Sequence, residues 1–141
     1  MTKDKQHAAL CRMTLNTLLA LGYKPYYFDS DQTQIDCIVE GVCFAVYHAP
    51  FTDSVGFGCV FEPNDAVDAA AMARFTEALQ KESSPFHHLL YEEESGTIHL
   101  ESEIAIEALT PQLLQQIVAA INKKNGTVEQ IKSISYQWEE R

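Results

Sequence analysis

Between Ile35 and Phe61 the chain reads I-D-C-I-V-E-G-V-C-F-A-V-Y, a short break, and then V-G-F-G-C-V-F. Placing Glu40-Gly41 at the tip of a hairpin sets Val39 opposite Val42, Cys37 opposite Phe44 and Ile35 opposite Val46. Side chains alternate across a strand, so this register collects six apolar residues on one face without exception. The other face carries Asp36, Ile38, Glu40, Cys43, Ala45 and Tyr47, a mixed set. Glu-Gly is not among the strongest two-residue turn sequences, so the facial pattern fixes the register more than the turn does. A third strand, Val55 to Phe61, alternates Val55, Phe57, Cys59 and Phe61 with Gly56, Gly58 and Val60. One face of this sheet is a core; the other is wet or waits for a partner.

Helical periodicity brackets the strands. Lys5 to Leu21 carries Leu10, Cys11, Met13, Leu15, Leu18 and Leu21, and Gly22 stands where a helix would stop. Tyr23 to Phe28 holds a short strand that Pro25 restricts to an edge, and Asp29-Ser30-Asp31 signals a turn. After Pro63, Asn64 or Asp65 is the expected N-cap of an Ala-rich helix from Ala66 to Lys81, ended by Ser83-Ser84-Pro85. A second hairpin joins Phe86–Glu93 to Thr97–Ile106 through a three-residue loop, Glu94-Ser95-Gly96. Ile98, Leu100, Ile104 and Ile106 line one face of its second strand; the register of the first strand stays open, because Phe86/Leu90 and Leu89/Tyr91 both offer an apolar face. Thr110-Pro111 opens the clearest helix, with Leu113, Leu114, Ile117, Val118 and Ile121 at helical spacing and Asn125-Gly126 as its stop. In the tail, a Thr127-x-x-Gln130 capping box favours a helix, while Ile134 to Trp138 also alternates as a strand would.

The 141 residues make one domain, with a core at about 6–125 and a C-terminal extension at 126–141. A domain of this size buries roughly 70% of its unfolded surface. The expected class is α+β, ordered α-β-β-β-α-β-β-α, with helices packed on one face of an antiparallel sheet. No apolar run reaches the roughly 20 residues of a membrane span, and the polar N-terminus lacks a signal-peptide pattern, so a cytoplasmic location is expected. With a net charge of −10 and no basic cluster beyond Lys3/Lys5 and Lys123-Lys124, neither nucleic acid nor an anionic membrane is an expected partner. The acidity favours solubility and, more weakly, a basic partner.

No constellation carries catalysis. Cys11, Cys37, Cys43 and Cys59 have no metal-type spacing and read as buried reduced thiols. A reactive thiolate paired with His48 needs an electropositive setting, and Cys43 and Cys59 have apolar neighbours instead. With the three-residue loop, His87 and His99 share a face with Glu101 and Glu103, a conceivable metal set. His7, His48, His87, His88 and His99 read more simply as solvated surface residues. Gly56-Phe57-Gly58 lacks the third glycine and the following helix of a phosphate loop. Glu92-Glu93-Glu94 reads most simply as a solvated turn, and residues such as Tyr47, Tyr136 and Trp138 are more often core or half-buried packing residues than binding hot spots. No cofactor and no metal are expected.

The strand–E-G–strand hairpin, the strand ending in E-P at Pro63, the helix after it and the final L-T-P-Q-L-L-Q-Q-I helix resemble the YbjN-like family. That family is held to share the fold of the type III secretion chaperones. The resemblance covers about residues 6–125 and leaves the tail unexplained. It implies a small, acidic, cytoplasmic, dimeric, non-enzymatic protein whose sheet and helices bind other polypeptides. YbjN-like proteins are labelled as regulators, and the family has no catalytic motif to carry over.

The leading expectation is therefore a protein-interaction domain, chaperone- or adaptor-like, with a protein client and a homodimer. Its partner-binding candidates are Ile38, Cys43, Tyr47 and Val60, which are too apolar for a fully wet face. The competing expectations are a small-molecule or metal sensor with a pocket between sheet and helices, and an immunity- or inhibitor-type protein.

Overall fold

A computed structural model describes residues 3–48, 52–63 and 67–134. Helix α1 (Lys3–Ala20) leads into strands β1 (Tyr26–Tyr27), β2 (Gln34–Val39), β3 (Val42–His48) and β4 (Ser54–Phe61). Helix α2 (Ala69–Lys81) follows, then β5 (His88–Glu92), β6 (Thr97–Ala105), α3 (Pro111–Asn122) and α4 (Thr127–Ser133). The strands form one antiparallel sheet in the order β1-β2-β3-β4-β6-β5. The helices supply Leu10, Leu18, Phe75, Leu79, Leu114, Ile117, Ile121, Val128 and Ile131 to the same buried cluster as Ile35, Phe44, Phe57 and Leu100. All helices thus share one face of the sheet, as expected.

The first hairpin has the expected register: Val39 pairs Val42, Cys37 pairs Phe44 and Ile35 pairs Val46. Its tip is a primed turn, with φ of +51° at Glu40 and +77° at Gly41. The left-handed conformation costs a non-glycine residue roughly 1–2 kcal/mol. At Glu40 the side chain is also tied down, because the Tyr23 hydroxyl donates to its carboxylate at 2.9 Å. Helix α1 ends in a left-handed glycine, Gly22 at φ +94°, with the Tyr23 N–H bonded to Leu18 O and the Gly22 N–H to Leu19 O. Its start is Lys3, two residues before the expected one.

Helix α2 begins at Ala69, not Ala66, and Asp68 caps it by accepting the Ala71 N–H at 2.7 Å. The expected caps Asn64 and Asp65 lie outside the described residues. The second hairpin pairs Glu92 with Thr97, so its loop is the four residues from Glu93 to Gly96 rather than three. Gly96 takes φ +70°, as a loop glycine should. The register is set at the far end. Buried Ser102 donates to Pro85 O and accepts the His87 N–H, both at 2.8 Å, and the Phe86 ring packs tilted at 60° against Phe57, centroids 5.8 Å apart. Leu89 and Tyr91 therefore face the core and His88 and Leu90 face away. Ile106 lies in a short 3-10 turn, Ile106–Ala108, not in the strand.

Helix α3 starts as expected, with Thr110 accepting the Leu113 N–H at 3.1 Å and Pro111 at the first position. The tail is helical over Thr127–Ser133, but its cap is not the expected box. Gly126 is the N-cap residue, and the carboxylate of Glu82, at the end of α2, accepts the Thr127 N–H at 2.7 Å. Tyr136 and Trp138 lie outside the described residues.

Candidate functional site

The helix-free face of the sheet is built row by row from the strand register. One row crosses five strands as Ile38, Cys43, Val60, His99 and Leu90. The next runs Tyr26, Asp36, Ala45, Gly58, Glu101 and His88. The third contains Gln34, Tyr47, Gly56 and Glu103, and Phe28 adjoins it through its N–H bond to Gln34 O at 2.9 Å. The sequence candidates Ile38, Cys43 and Val60 are thus cross-strand neighbours, and Tyr47 lies four residues, or two rows, from Cys43 on the same face.

This face holds most of the exposed large apolar groups among the described residues. Tyr26 is 40% exposed, Phe28 56%, Tyr47 38% and Leu90 54%, and the other two, Leu19 and Leu21, sit at the end of α1. Apart from Leu90 on β5, the apolar groups of this face lie on β1 to β4 or, for Phe28, directly after β1. On β6 the same face presents Glu101 and Glu103, and no strand position on it is Lys or Arg. Asp36 is buried and accepts a bond from the Gln34 amide at 2.7 Å. Tyr47 lies across Gly56 toward β6 and donates its hydroxyl to Glu101 at 3.4 Å. Burial and the nearby Glu101 charge push its pKa up to about 12, so it remains a phenol and a donor at neutral pH.

A second candidate was not legible as such in the sequence. His7 and His48, expected at the surface, are both only 6% exposed, and their rings meet edge to face at 5.1 Å. They line a cavity of about 220 Å³ between α1, the turn before β2 and the end of β3, together with Cys11, Arg12, Tyr27 and Asp31. His7 Nε2 lies 3.2 Å from Thr52 O, so that nitrogen carries the proton and donates. His7 Nδ1 and both ring nitrogens of His48 have no hydrogen-bond partner among the described residues. Burial, and then the neighbouring His7, pull the His48 pKa down to about 4. The parity of β3 foretold this position, because His48 shares its face with Val42, Phe44 and Val46. His7 likewise stands three and four residues before buried Leu10 and Cys11.

The nucleophile and metal ideas gain no geometry. Burial raises the pKa of Cys11 and of Cys37 to about 11 and that of Cys59 further, which keeps them thiols. The Cys11 thiol donates to Gln32 O at 3.4 Å. His88, not His87, stands across from Glu101, while His99 bonds Thr97 at 2.8 Å and approaches Glu92 at 3.4 Å. Among the described residues no three His, Cys, Asp or Glu side chains are arranged to hold a metal ion. A wider groove of about 500 Å³ beside α3 has only Glu82 and Lys123 as charged groups. No helix among the described residues is long and apolar enough to cross a membrane.

No family model matches the chain, and neither does any curated protein. Solved structures do. A chain of the ExsC–ExsE complex superposes with a TM-score of 0.65 at 11% identity, covering 92% of this chain and 96% of that one. A chain of the HopA1–SchA chaperone–effector complex superposes with a TM-score of 0.60 at 16% identity, covering 87% and 90%. At such identities the likeness speaks for the fold alone. The chain has an α+β fold like that of the type III secretion chaperones.

Proposed function

We propose that this chain is a non-enzymatic polypeptide-binding protein, chaperone- or adaptor-like, which holds its partner on the helix-free face of the sheet around Ile38, Cys43, Tyr47 and Val60. The observation that carries this reading is the uncovered apolar field on β1 to β4, because a sheet face meant for water alternates cleanly to polar residues. The two similar structures were solved as complexes, one of them named as a chaperone with its effector, which supports the same class of role. Fold likeness does not fix function, and the apolar face itself is what supports a binding role. Kinship with the YbjN-like proteins, a cytoplasmic location and a homodimer belong to this reading, and the binding face requires none of them.

The test compares capture from native cytoplasm by the wild type and by an Ile38→Glu/Tyr47→Glu variant, with the bound protein identified. A partner held by the wild type and lost by a variant of unchanged unfolding midpoint supports the reading. Equal capture by both proteins overturns it.

One observation favours a second reading, a small-molecule sensor: the cavity beside His7 and His48, with three ring nitrogens unpartnered among the described residues. A small molecule that co-purifies with the wild type and is lost on His48→Ala substitution supports this second reading over the first.

A further inference from the structure

The distribution of charge on the helix-free face says what kind of partner fits it, an inference that rests on the binding role proposed above. The field of Tyr26, Ile38, Cys43, Tyr47 and Val60 on β1 to β4 gives way on β6 to His99 in the first row, with Leu90 beyond it on β5, and to a carboxylate ridge, Glu101 and Glu103, in the next two. Residues two apart on a strand are about 6.8 Å apart and point the same way. On a helix, positions i and i+4 rise about 6 Å and also lie on one side. We infer that the partner is an amphipathic helical segment lying along β3 and β4, its apolar edge on the field and a flank of Lys or Arg at i, i+4 spacing against Glu101 and Glu103.

The alternatives fit less well. An extended segment laid on the face sends alternate side chains straight away from it, so its charges do not reach a ridge beside the contact. A second copy of this chain carries no Lys or Arg at the strand positions of the same face, so pairing strand face on strand face leaves Glu101 and Glu103 unanswered or beside their own kind. Like-charge juxtaposition across an interface costs affinity and selects against the wrong partner. The remaining acidity of the chain, a net −10, steers a cationic segment toward the molecule from any side, but only the ridge fixes its orientation.

The experiment uses a fluorescein-labelled designed helix of about 14 residues, roughly 21 Å long, with Leu along one edge and Lys along one flank, and its twin with Glu in place of Lys. Binding is read by anisotropy for the wild type, for Glu101→Gln/Glu103→Gln and Glu101→Lys/Glu103→Lys, and for a Glu77→Lys/Glu107→Lys control away from the face. The Lys peptide is expected to bind the wild type at least about tenfold more tightly than the Glu peptide. The Gln pair should erase that preference and the Lys pair reverse it, while the control shifts binding less than about threefold. If the control matters as much as the ridge, net charge alone is at work and the inference is overturned. If both peptides bind alike, with loss on Ile38→Glu but not on changing the ridge, the charge inference fails and the binding role stands. If neither peptide binds above the Ile38→Glu variant, both fail. A wild-type dimer that Ile38→Glu dissociates puts a second copy on the face and also overturns the inference.

Discussion

The ring of Tyr47 occupies the space where Gly56, its cross-strand partner, would carry a side chain: an added Cβ would stand 2.0 Å from Tyr47 Cε2. The glycine lets the aromatic lie flat on the sheet, and the ring in turn covers backbone that glycine leaves bare. This pair positions the most central aromatic of the proposed binding face. Gly58 sits two residues on, and its added Cβ would instead meet Leu100 O, a backbone atom, at 2.6 Å.

The two glycines are therefore expected to respond differently to the same substitution. In Gly56→Ala, the obstacle is the far end of a side chain that can swing aside, so the stability loss should stay below about 1 kcal/mol. In Gly58→Ala, the obstacle is a strand of the central β4–β6 pair, and overpacking of that kind costs about 1–3 kcal/mol. Urea denaturation of both variants checks the order. Partner binding adds a second readout, because Gly56→Ala displaces Tyr47 and should weaken binding even where stability holds.

The cap of α4 comes from 45 residues away, since the Glu82 carboxylate accepts the Thr127 N–H at 2.7 Å. Removing an acceptor at a helix N-terminus costs about 1 kcal/mol. Glu82→Ala should show that loss in the denaturation midpoint, and Glu82→Gln should recover part of it through its amide oxygen. A Thr127→Ala change tests the capping box that the sequence suggests. It should cost less than Glu82→Ala, because the Thr127 backbone N–H, not its hydroxyl, is the group Glu82 accepts.

What could be read from the sequence, and what could not, follows the range of the interactions involved. The register of the first hairpin and the buried face of β4 were legible because burial on one face imposes period two locally, and a one-residue slip would expose Phe44 and Phe57 together. Helix α3 was legible because Thr110-Pro111 and the Leu-Ile spacing are also local. The start of α2 was not, since Asn64, Asp65 and Asp68 are all competent caps and an Ala-rich run has little periodicity to choose among them. The second hairpin slipped by one position because buried Ser102, tied to Pro85 and His87, decides its register from outside the loop. On the proposed binding face, Ile38, Cys43, Tyr47 and Val60 could be nominated from parity alone. Their confrontation with Glu101 and Glu103 needed β6 to insert beside β4, which no local pattern announces.

The central phenylalanines give a simple energetic test of the core face. Phe44 and Phe57 are fully buried on adjacent strands of the sheet. Truncating such a ring removes its transfer energy and leaves a cavity, together about 3–5 kcal/mol. Phe44→Ala should thus lower stability several-fold more than Ile38→Ala on the opposite face, measured as the shift in denaturation midpoint at constant slope. Comparable losses at both positions would mean that the helix-free face is packed as tightly as the core, and would remove the ground for treating it as open.

The His7–His48 contact predicts how stability responds to acid. Burial and His7 hold the His48 pKa at about 4, against 6.5 for the free side chain, so the folded chain keeps this imidazole neutral where the unfolded chain would charge it. Well above pH 6.5 neither state is protonated and stability is unaffected. As the pH falls from 6.5 toward 4, the unfolded state takes up the proton first and stability drops, approaching about 3 kcal/mol by pH 4. The other groups on the cavity, Cys11, Arg12, Tyr27 and Asp31, include one carboxylate and one guanidinium at its exposed margin, so no buried counter-charge waits for the new proton. His48→Phe keeps an aromatic ring against His7 and removes the titration. Denaturation midpoints measured between pH 7 and pH 4.5 should therefore fall steeply for the wild type and less for His48→Phe. Parallel curves for the two proteins would show that His48 protonates freely in the folded state.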